Sequence, residues 1–102
     1  MIIAIFRSRV AKEHAAEFKK RYAEMSALVE AIPGYGSHES FSSANGENVL
    51  IVEFLTREAF ESWDTHPEHK KAKMLGKDYI FDSFDVKVGE VFERQTEAEV
   101  RV

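Results

Sequence analysis

The sequence contains no cysteine. This absence excludes disulfide bonds, thiolate metal ligands and a cysteine nucleophile, and it gives no sign of an oxidising compartment. Long apolar runs are also missing, since no stretch approaches the roughly 20 residues of a membrane-spanning helix. The first residues are apolar and then basic, which is the reverse of the order in a signal peptide. We therefore expect a cytoplasmic protein that does not contact a membrane.

A large positive charge is absent as well. The formal net charge is -4, and basic residues adjoin one another only in short groups at 19–21 and 70–71. Proteins that bind nucleic acid normally carry a basic patch, so we expect no nucleic-acid partner. The chain of 102 residues is 44% hydrophobic and 31% charged, as in a single globular domain. We assign residues 1–94 to that domain and residues 95–102 to a C-terminal tail.

Hydrophobic periodicity predicts that the first half of the chain forms a strand, a helix and a β-hairpin. Pro33 and Gly34 are expected to end the helix, because proline disfavours helical geometry in the residue before it. Asn45 and Gly46 favour a tight hairpin turn, in which both central residues need positive φ. The predicted ranges are 2–10 for the strand, 11–32 for the helix, and 35–43 and 49–55 for the hairpin strands.

The second half predicts a helix broken in two and a final strand. Thr56 is a suitable N-cap for the first piece, and Pro67 suits the first position of the second. Gly76 is expected to end the second piece. Gly89 interrupts the alternation of the last strand and suggests a β-bulge. The predicted ranges are 56–63 and 67–75 for the helices and 84–92 for the strand.

This order, β-α-β-β-α-β, is typical of the ferredoxin-like class of α+β domains. Such a domain has a four-stranded antiparallel sheet with the helices on one face. The other face would carry Ile, Val and Phe side chains that are unfavourable in water. We therefore expect a homodimer in which two sheets stack on each other.

The stretch 60–88 contains the only Trp of the chain and two of its four His. Trp63 could flank a flat aromatic substrate while His66 or His69 accepts a phenolic proton. Alternatively, Trp63 belongs to the core, His66 caps the next helix and His69 is exposed. We expect no metal site, because Pro67 makes a helical His66–His69 pair doubtful and no third ligand has a recognisable spacing.

A second group of candidates lies on the predicted sheet. His38, with Arg7 or Arg9, could supply a base and a cation to a pocket, although its orientation depends on strand register. Alternation along the hairpin strand places Tyr35 on the side of Phe41, opposite His38. We take as candidate catalytic residues Trp63, His66, His69 and His38, and as candidate substrate-binding residues Arg7, Phe41, Tyr79 and Phe84.

Several local features together resemble the antibiotic biosynthesis monooxygenase family of dimeric α+β barrel proteins. They are Pro33-Gly34-Tyr35, Glu53-Phe54, Ala59-Phe60 before Trp63, His66-Pro67 followed by His69, and the aromatic residues Tyr79, Phe81 and Phe84. The resemblance extends over about residues 1–94. It implies the ferredoxin-like fold and a dimer, whereas the reaction varies among proteins of one fold.

The resemblance implies a cofactor-independent monooxygenase that oxidises a small aromatic phenol or quinol. The alternative is a non-catalytic module that binds a small molecule or has a stress-related role. Haem-degrading relatives use an Asn on the first strand, a Trp on the second helix and a His further on. Here Trp63 is present, but Phe6 or Arg7 and Lys73 occupy the other two positions, so haem degradation is less expected.

Overall fold

A computed structural model describes residues 1–97 of the chain. Within this range the chain forms four strands and three α-helices, in the predicted order. They are β1 (Ile2–Val10), α1 (Ala15–Glu30), β2 (Tyr35–Ser42), β3 (Asn48–Phe54), α2 (Arg57–Asp64), α3 (Pro67–Leu75) and β4 (Phe81–Glu90). Residues 95–97 of the predicted tail have no regular secondary structure, and residues 98–102 lie outside the described residues.

The sheet has the strand order β2-β3-β1-β4, with every neighbouring pair antiparallel. This arrangement confirms the predicted α+β fold with a four-stranded antiparallel sheet. The helices cover one face of the sheet, where alternate residues of β1 and β3 are buried. The core consists of Ile2, Val29, Val52, Phe54, Ala59 and Trp63.

The start of the helical region differs from the prediction. Lys12–His14 form one turn of 3-10 helix, and α1 begins at Ala15 rather than Ala11. Ala11 has extended backbone angles, and its N–H donates to the carbonyl of Ile80, which ties this segment to the start of β4.

The caps of the second helical region agree with the sequence. The Thr56 hydroxyl accepts a hydrogen bond from the N–H of Ala59 at 3.1 Å, as predicted for an N-cap. Pro67 occupies the first turn of α3, where its missing N–H leaves no hydrogen bond unmade.

Gly76 does not end the helical winding. It has helical angles (φ -60°, ψ -48°), and residues Gly76–Ile80 continue as a π turn before β4. The ring of Phe81 lies so close to Gly76 that a Cβ atom added to this glycine would be only 2.6 Å from the ring. β4 begins at Phe81, three residues earlier than predicted.

The bulge predicted at Gly89 is wrong, since Gly89 pairs regularly with Ile3. The pairing register of β2 and β3 shifts between Tyr35 and Ser37, around Gly36. This shift turns Tyr35 to the helix-covered face, the same side as His38, and so reverses the predicted orientation of Tyr35. A Cβ atom on Gly36 would lie 2.8 Å from the carbonyl oxygen of Glu53, so the close approach of the two strands requires glycine.

The face of the sheet away from the helices carries an apolar patch, formed by Ile3, Ile5, Phe41, Val49 and Ile51. Phe41 is 50% exposed, and the others are half-buried. The homodimer through this face stays a prediction. Among residues 1–97, no helix combines the length and the apolar composition needed to cross a membrane.

We predict that Gly36→Ala destabilises the protein by about 1–3 kcal/mol, because the added methyl group meets backbone that cannot rotate away. The matched control is Gly89→Ala, whose Cβ has no neighbour within 4 Å. That variant should be neutral or more stable, since alanine reduces the entropy of the unfolded chain. Urea unfolding of both variants measures the difference, and equal midpoints would contradict the prediction.

Candidate functional site

Trp63 and His69 form a stacked pair between α2 and α3. Trp63 is 7% exposed and belongs to the core. The His69 ring lies parallel to the indole, with 4.3 Å between ring centroids and 16° between planes. Its Nδ1 is 3.0 Å from the carbonyl oxygen of Trp63. A carbonyl oxygen can only accept, so Nδ1 carries the hydrogen and Nε2 of the neutral ring carries the lone pair.

His66 has a helix-capping role. Its Nδ1 accepts a hydrogen bond from the N–H of Glu68 at 3.2 Å, at the start of α3. Nδ1 therefore carries the lone pair, and Nε2 carries the hydrogen of the neutral ring. Of the two histidines beside Trp63, only His69 retains an unengaged nitrogen lone pair. Residues 1–97 contain no group of three or more His, Asp or Glu side chains arranged to hold a metal ion.

His38 lies on β2, on the helix-covered face, with its Nδ1 2.6 Å from the hydroxyl of Tyr35. The ring of Tyr22 from α1 is 6.3 Å away. Burial raises the pKa of Tyr35, so this side chain remains a neutral phenol that can donate to His38. Sequence analysis did not pair these residues, because the shift around Gly36 that brings them together has no clear signal in the sequence.

Arg7 and Phe41 lie on the opposite face of the sheet from His38 and Phe84, because neighbouring residues of a strand point to opposite sides. Arg7 pairs with Glu47 at 2.7 Å, beside an open depression of about 330 Å³. A single chain therefore does not gather all eight candidate residues into one pocket.

Along β4, the helices leave the side chains on their own side of the sheet exposed to solvent. Three of its apolar side chains point to the helix side but remain exposed: Phe84 (44%), Val86 (52%) and Val88 (47%). We call these three residues the β4 surface. Near Val88, a depression of about 280 Å³ lies between α2 and β4, with Ile2 and Phe60 in its wall. Exposed apolar side chains beside a depression are typical of surfaces that bind small molecules or other proteins.

Three further phenylalanines extend the β4 surface at its other end. Phe6 lies 5.2 Å from Phe81 and 6.1 Å from Phe84 between ring centroids, and Phe18 of α1 lies 5.7 Å from Phe81. The phenylalanine cluster (Phe6, Phe18, Phe81 and Phe84) thus provides an aromatic wall between α1 and the first part of β4.

A polar group lies beside this wall, where α1 meets the π turn. Tyr79 donates its hydroxyl hydrogen to Oε2 of Glu17, and Nε of Arg21 donates to the same oxygen at 2.8 Å. The ring of His14 packs edge-on against Tyr79, 4.7 Å between centroids. These hydrogen bonds lower the pKa of Glu17, and the bond to Glu17 raises that of Tyr79. We call His14, Glu17, Arg21 and Tyr79 the Tyr79 cluster.

Sequence analysis selected only Tyr79 from this cluster. The spacing of His14, Glu17 and Arg21 would have placed all three on one stripe of the helix predicted over 11–32. The contact with Tyr79 had no sequence signal, because it depends on the π turn that replaces the expected end of the helix at Gly76.

We predict that the free energy of unfolding decreases as the pH falls below about 6.5, partly because of His69. Burial lowers the pKa of this imidazole, so the unfolded chain binds a proton that the folded protein resists. The contribution of His69 to the free energy of unfolding is complete above that pH. It is lost as the pH falls toward the lowered pKa of His69 in the folded protein. Urea unfolding at about pH 7.5 and about pH 5.5 measures the decrease.

The control for this prediction is His69→Gln, which cannot titrate. Its stability should depend less on pH over the same range, while His66→Asn, which retains a capping side chain, should behave like the unaltered protein. Parallel pH dependence of the unaltered protein and His69→Gln would exclude His69 as the source.

The sequence and the structure were both compared with known proteins. Residues 1–74 match the family described as antibiotic biosynthesis monooxygenase. The chain is 27% identical over 88 residues to the uncharacterized protein YqjZ of Bacillus subtilis strain 168, an alignment that covers 86% of this chain and 77% of YqjZ.

Two solved structures show the same fold. Rv0793 from Mycobacterium tuberculosis has a TM-score of 0.80 at 18% identity, covering 93% of this chain and 98% of Rv0793. A variant of SnoaB, a cofactor-independent oxygenase from Streptomyces nogalater, has a TM-score of 0.77 at 16% identity, covering 94% of this chain and 97% of SnoaB. At such identities these likenesses show the fold alone. The family match extends over most of the chain, and the protein therefore belongs to the antibiotic biosynthesis monooxygenase family.

Proposed function

We propose that this protein is a cofactor-independent monooxygenase that oxidises a small aromatic phenol or quinol on the β4 surface. The observation that carries the proposal is membership of the antibiotic biosynthesis monooxygenase family. The exposed apolar side chains of β4 add a place for an aromatic ring. The fold likeness to SnoaB, a cofactor-independent oxygenase, supports the same reaction class.

The chemistry begins with removal of the phenolic proton by a base of the protein. The resulting phenolate is electron-rich, and it transfers electrons to dioxygen as a carbon–oxygen bond forms at the ring. Loss of the ring proton and cleavage of the oxygen–oxygen bond then leave a quinone and one molecule of water. The protein supplies the base, the orientation of the ring and an apolar surrounding.

The residues selected from the sequence have different roles in this proposal. In this proposal Phe84 and Tyr79 contact the substrate, and His69 and His38 are candidate bases. Trp63 is a positioning residue, because it is buried and fixes His69 by stacking. His66 stabilises the start of α3. Arg7 and Phe41 would contribute only across the other face of the sheet.

We predict that a panel of phenols and quinols contains at least one compound that both raises the melting temperature and consumes oxygen. Replacing the functional base should lower turnover by about 100- to 10,000-fold, the usual contribution of general acid–base catalysis. His38→Gln and His69→Gln are the variants, and His66→Asn is the matched control. Unchanged turnover in both Gln variants would remove these two histidines from the mechanism.

A second function, a non-catalytic small-molecule-binding module, is favoured by one observation. Trp63, His66 and His69 each have a structural contact within the chain. This alternative expects a ligand that stabilises the fold without oxygen uptake. Addition of hemin, followed by its absorption spectrum, tests the haem interpretation separately, and we expect no Soret shift.

We also propose that two copies pair through the apolar patch on the helix-free face of the sheet. We predict that Ile51→Glu makes the protein monomeric, because it places a charge in the centre of a buried contact. Val86→Glu, on the helix side, should leave the dimer intact. Sedimentation velocity measures both variants, and a monomeric unaltered protein at micromolar concentration would contradict the pairing.

A further inference from the structure

The loop that joins β2 to β3 contains an Asn-Gly pair, Asn45 and Gly46, with an arginine from β1 bound to it. We propose that Asn45 is a site of spontaneous deamidation and that Arg9 and Ser43 promote the reaction. Deamidation converts the side-chain amide of asparagine into a carboxylate, so each event adds one negative charge to the loop. The reaction needs only water and is independent of any substrate on the β4 surface.

The sequence at this position suits the reaction. The attacking group is the backbone nitrogen of the residue after the asparagine, and it must reach the side-chain carbon Cγ. Gly46 has no side chain to obstruct this approach, and glycine adopts a wide range of backbone angles. Asn45 and Gly46 are both exposed to solvent. The other asparagine of the chain, Asn48, lies in β3 and is followed by the branched Val49.

Arg9 is placed to stabilise the attacking group. Its Nη1 donates a hydrogen bond to the carbonyl oxygen of Asn45 at 2.7 Å. That oxygen belongs to the same peptide group as the nitrogen of Gly46, which must lose its proton before it attacks. The negative charge that results is shared between this nitrogen and the oxygen, because the peptide group is delocalised. A guanidinium bound to the oxygen therefore favours the reactive, deprotonated form.

Two donors stabilise the oxygen that becomes negative during the attack. Oδ1 of Asn45 accepts hydrogen bonds from the hydroxyl of Ser43 and from the N–H of Glu47, the latter at 3.1 Å. When the nitrogen adds to Cγ, this side-chain oxygen becomes an oxyanion. Donors already directed at such an oxygen lower the barrier, as in the oxyanion hole of acyl-transfer enzymes. The loop thus assists both partners of the reaction.

One contact opposes the reaction. The N–H of Gly46 donates to the carbonyl oxygen of Ser43 at 3.1 Å, and this bond retains the proton that must leave. A single backbone hydrogen bond in an exposed loop opens readily, because its net contribution to stability is small. We therefore infer that deamidation proceeds when this bond opens while Arg9 still binds the carbonyl oxygen of Asn45.

The chemical steps balance with water as the co-reactant. Hydroxide takes the proton of the Gly46 N–H, and the nitrogen forms a bond to Cγ of Asn45. The carbon–nitrogen bond of the side-chain amide then breaks. Its nitrogen leaves as ammonia with a proton from water, which regenerates hydroxide and leaves a succinimide ring. Water opens the ring at either carbonyl and yields aspartate or isoaspartate at position 45.

The two products differ in their effect on the loop. Aspartate retains the length of the backbone, and its carboxylate can accept from the same two donors as the amide oxygen. Isoaspartate inserts an additional carbon into the backbone, between residues that the loop holds together. The bond from the N–H of Ser43 to the carbonyl oxygen of Glu47, 2.8 Å in the unmodified loop, would then be strained or lost.

The test incubates the folded, unaltered protein near neutral pH and follows both asparagines by peptide mass spectrometry. Asn45 should lose its amide, whereas Asn48 in the same samples should retain it. Arg9→Gln should slow the reaction at Asn45 about two- to fivefold, the usual effect of one exposed charge contact. The matched control is Arg57→Gln, which removes an exposed arginine on α2 and should leave the rate unchanged.

Two further measurements separate the folded loop from the sequence alone. Ser43→Ala should also slow the reaction, because Oδ1 loses one of its donors. In urea, where the contacts of the loop are absent, the unaltered protein and Arg9→Gln should deamidate at equal rates. Thermal unfolding verifies that each variant is folded under the conditions of the incubation.

Three results would overturn the proposal. The first is a folded protein that retains the Asn45 amide while the urea-unfolded chain loses it. The second is an Arg9→Gln variant that reacts as fast as the unaltered protein when both are folded. The third is a faster reaction in Ser43→Ala, which would mean that the contacts of the loop protect Asn45 instead of promoting its deamidation.

Discussion

The position of Trp63 in the core determines which part of the sheet the helices cover. The indole, Phe54 and Val29 join the helices to β1 and β3, which are the two central strands of the sheet. A core centred on these strands leaves an edge strand with little cover. The consequence is that Phe84, Val86 and Val88 face the helix side and yet remain exposed. An exposed apolar surface thus follows from the placement of the core.

The connection from α3 to β4 determines the polar end of the same surface. Gly76 has no side chain, and this lets the ring of Phe81 pack against the helical backbone. The chain then winds through a π turn that carries Tyr79 over to α1. A π turn within helical structure is uncommon and often occurs at functional sites. One glycine therefore permits both the aromatic wall and the hydrogen bond to Glu17.

The fold could be predicted from the sequence because its signals are local. Thr56 and Pro67 specify the ends of helices, and alternation specifies which strand residues are buried. The predicted hairpin forms, but of its two turn residues only Gly46 has positive φ (87°), and Asn45 does not. The candidate site could be predicted only in part. The orientation of Tyr35 depends on one additional residue at Gly36, where a one-residue shift moves a side chain to the other face. The contact between Glu17 and Tyr79 spans 62 positions and depends on the π turn.

Strand order and helix packing place the histidines in different parts of the fold. The grouping of Trp63, His66 and His69 within seven positions reflects the packing of α3 onto α2, and both histidines serve that packing. His14 is distant from them in the sequence, but the segment 11–14 is tied to the π turn through the hydrogen bond from Ala11 to Ile80. That backbone bond holds the segment beside the π turn, where the His14 ring packs on Tyr79.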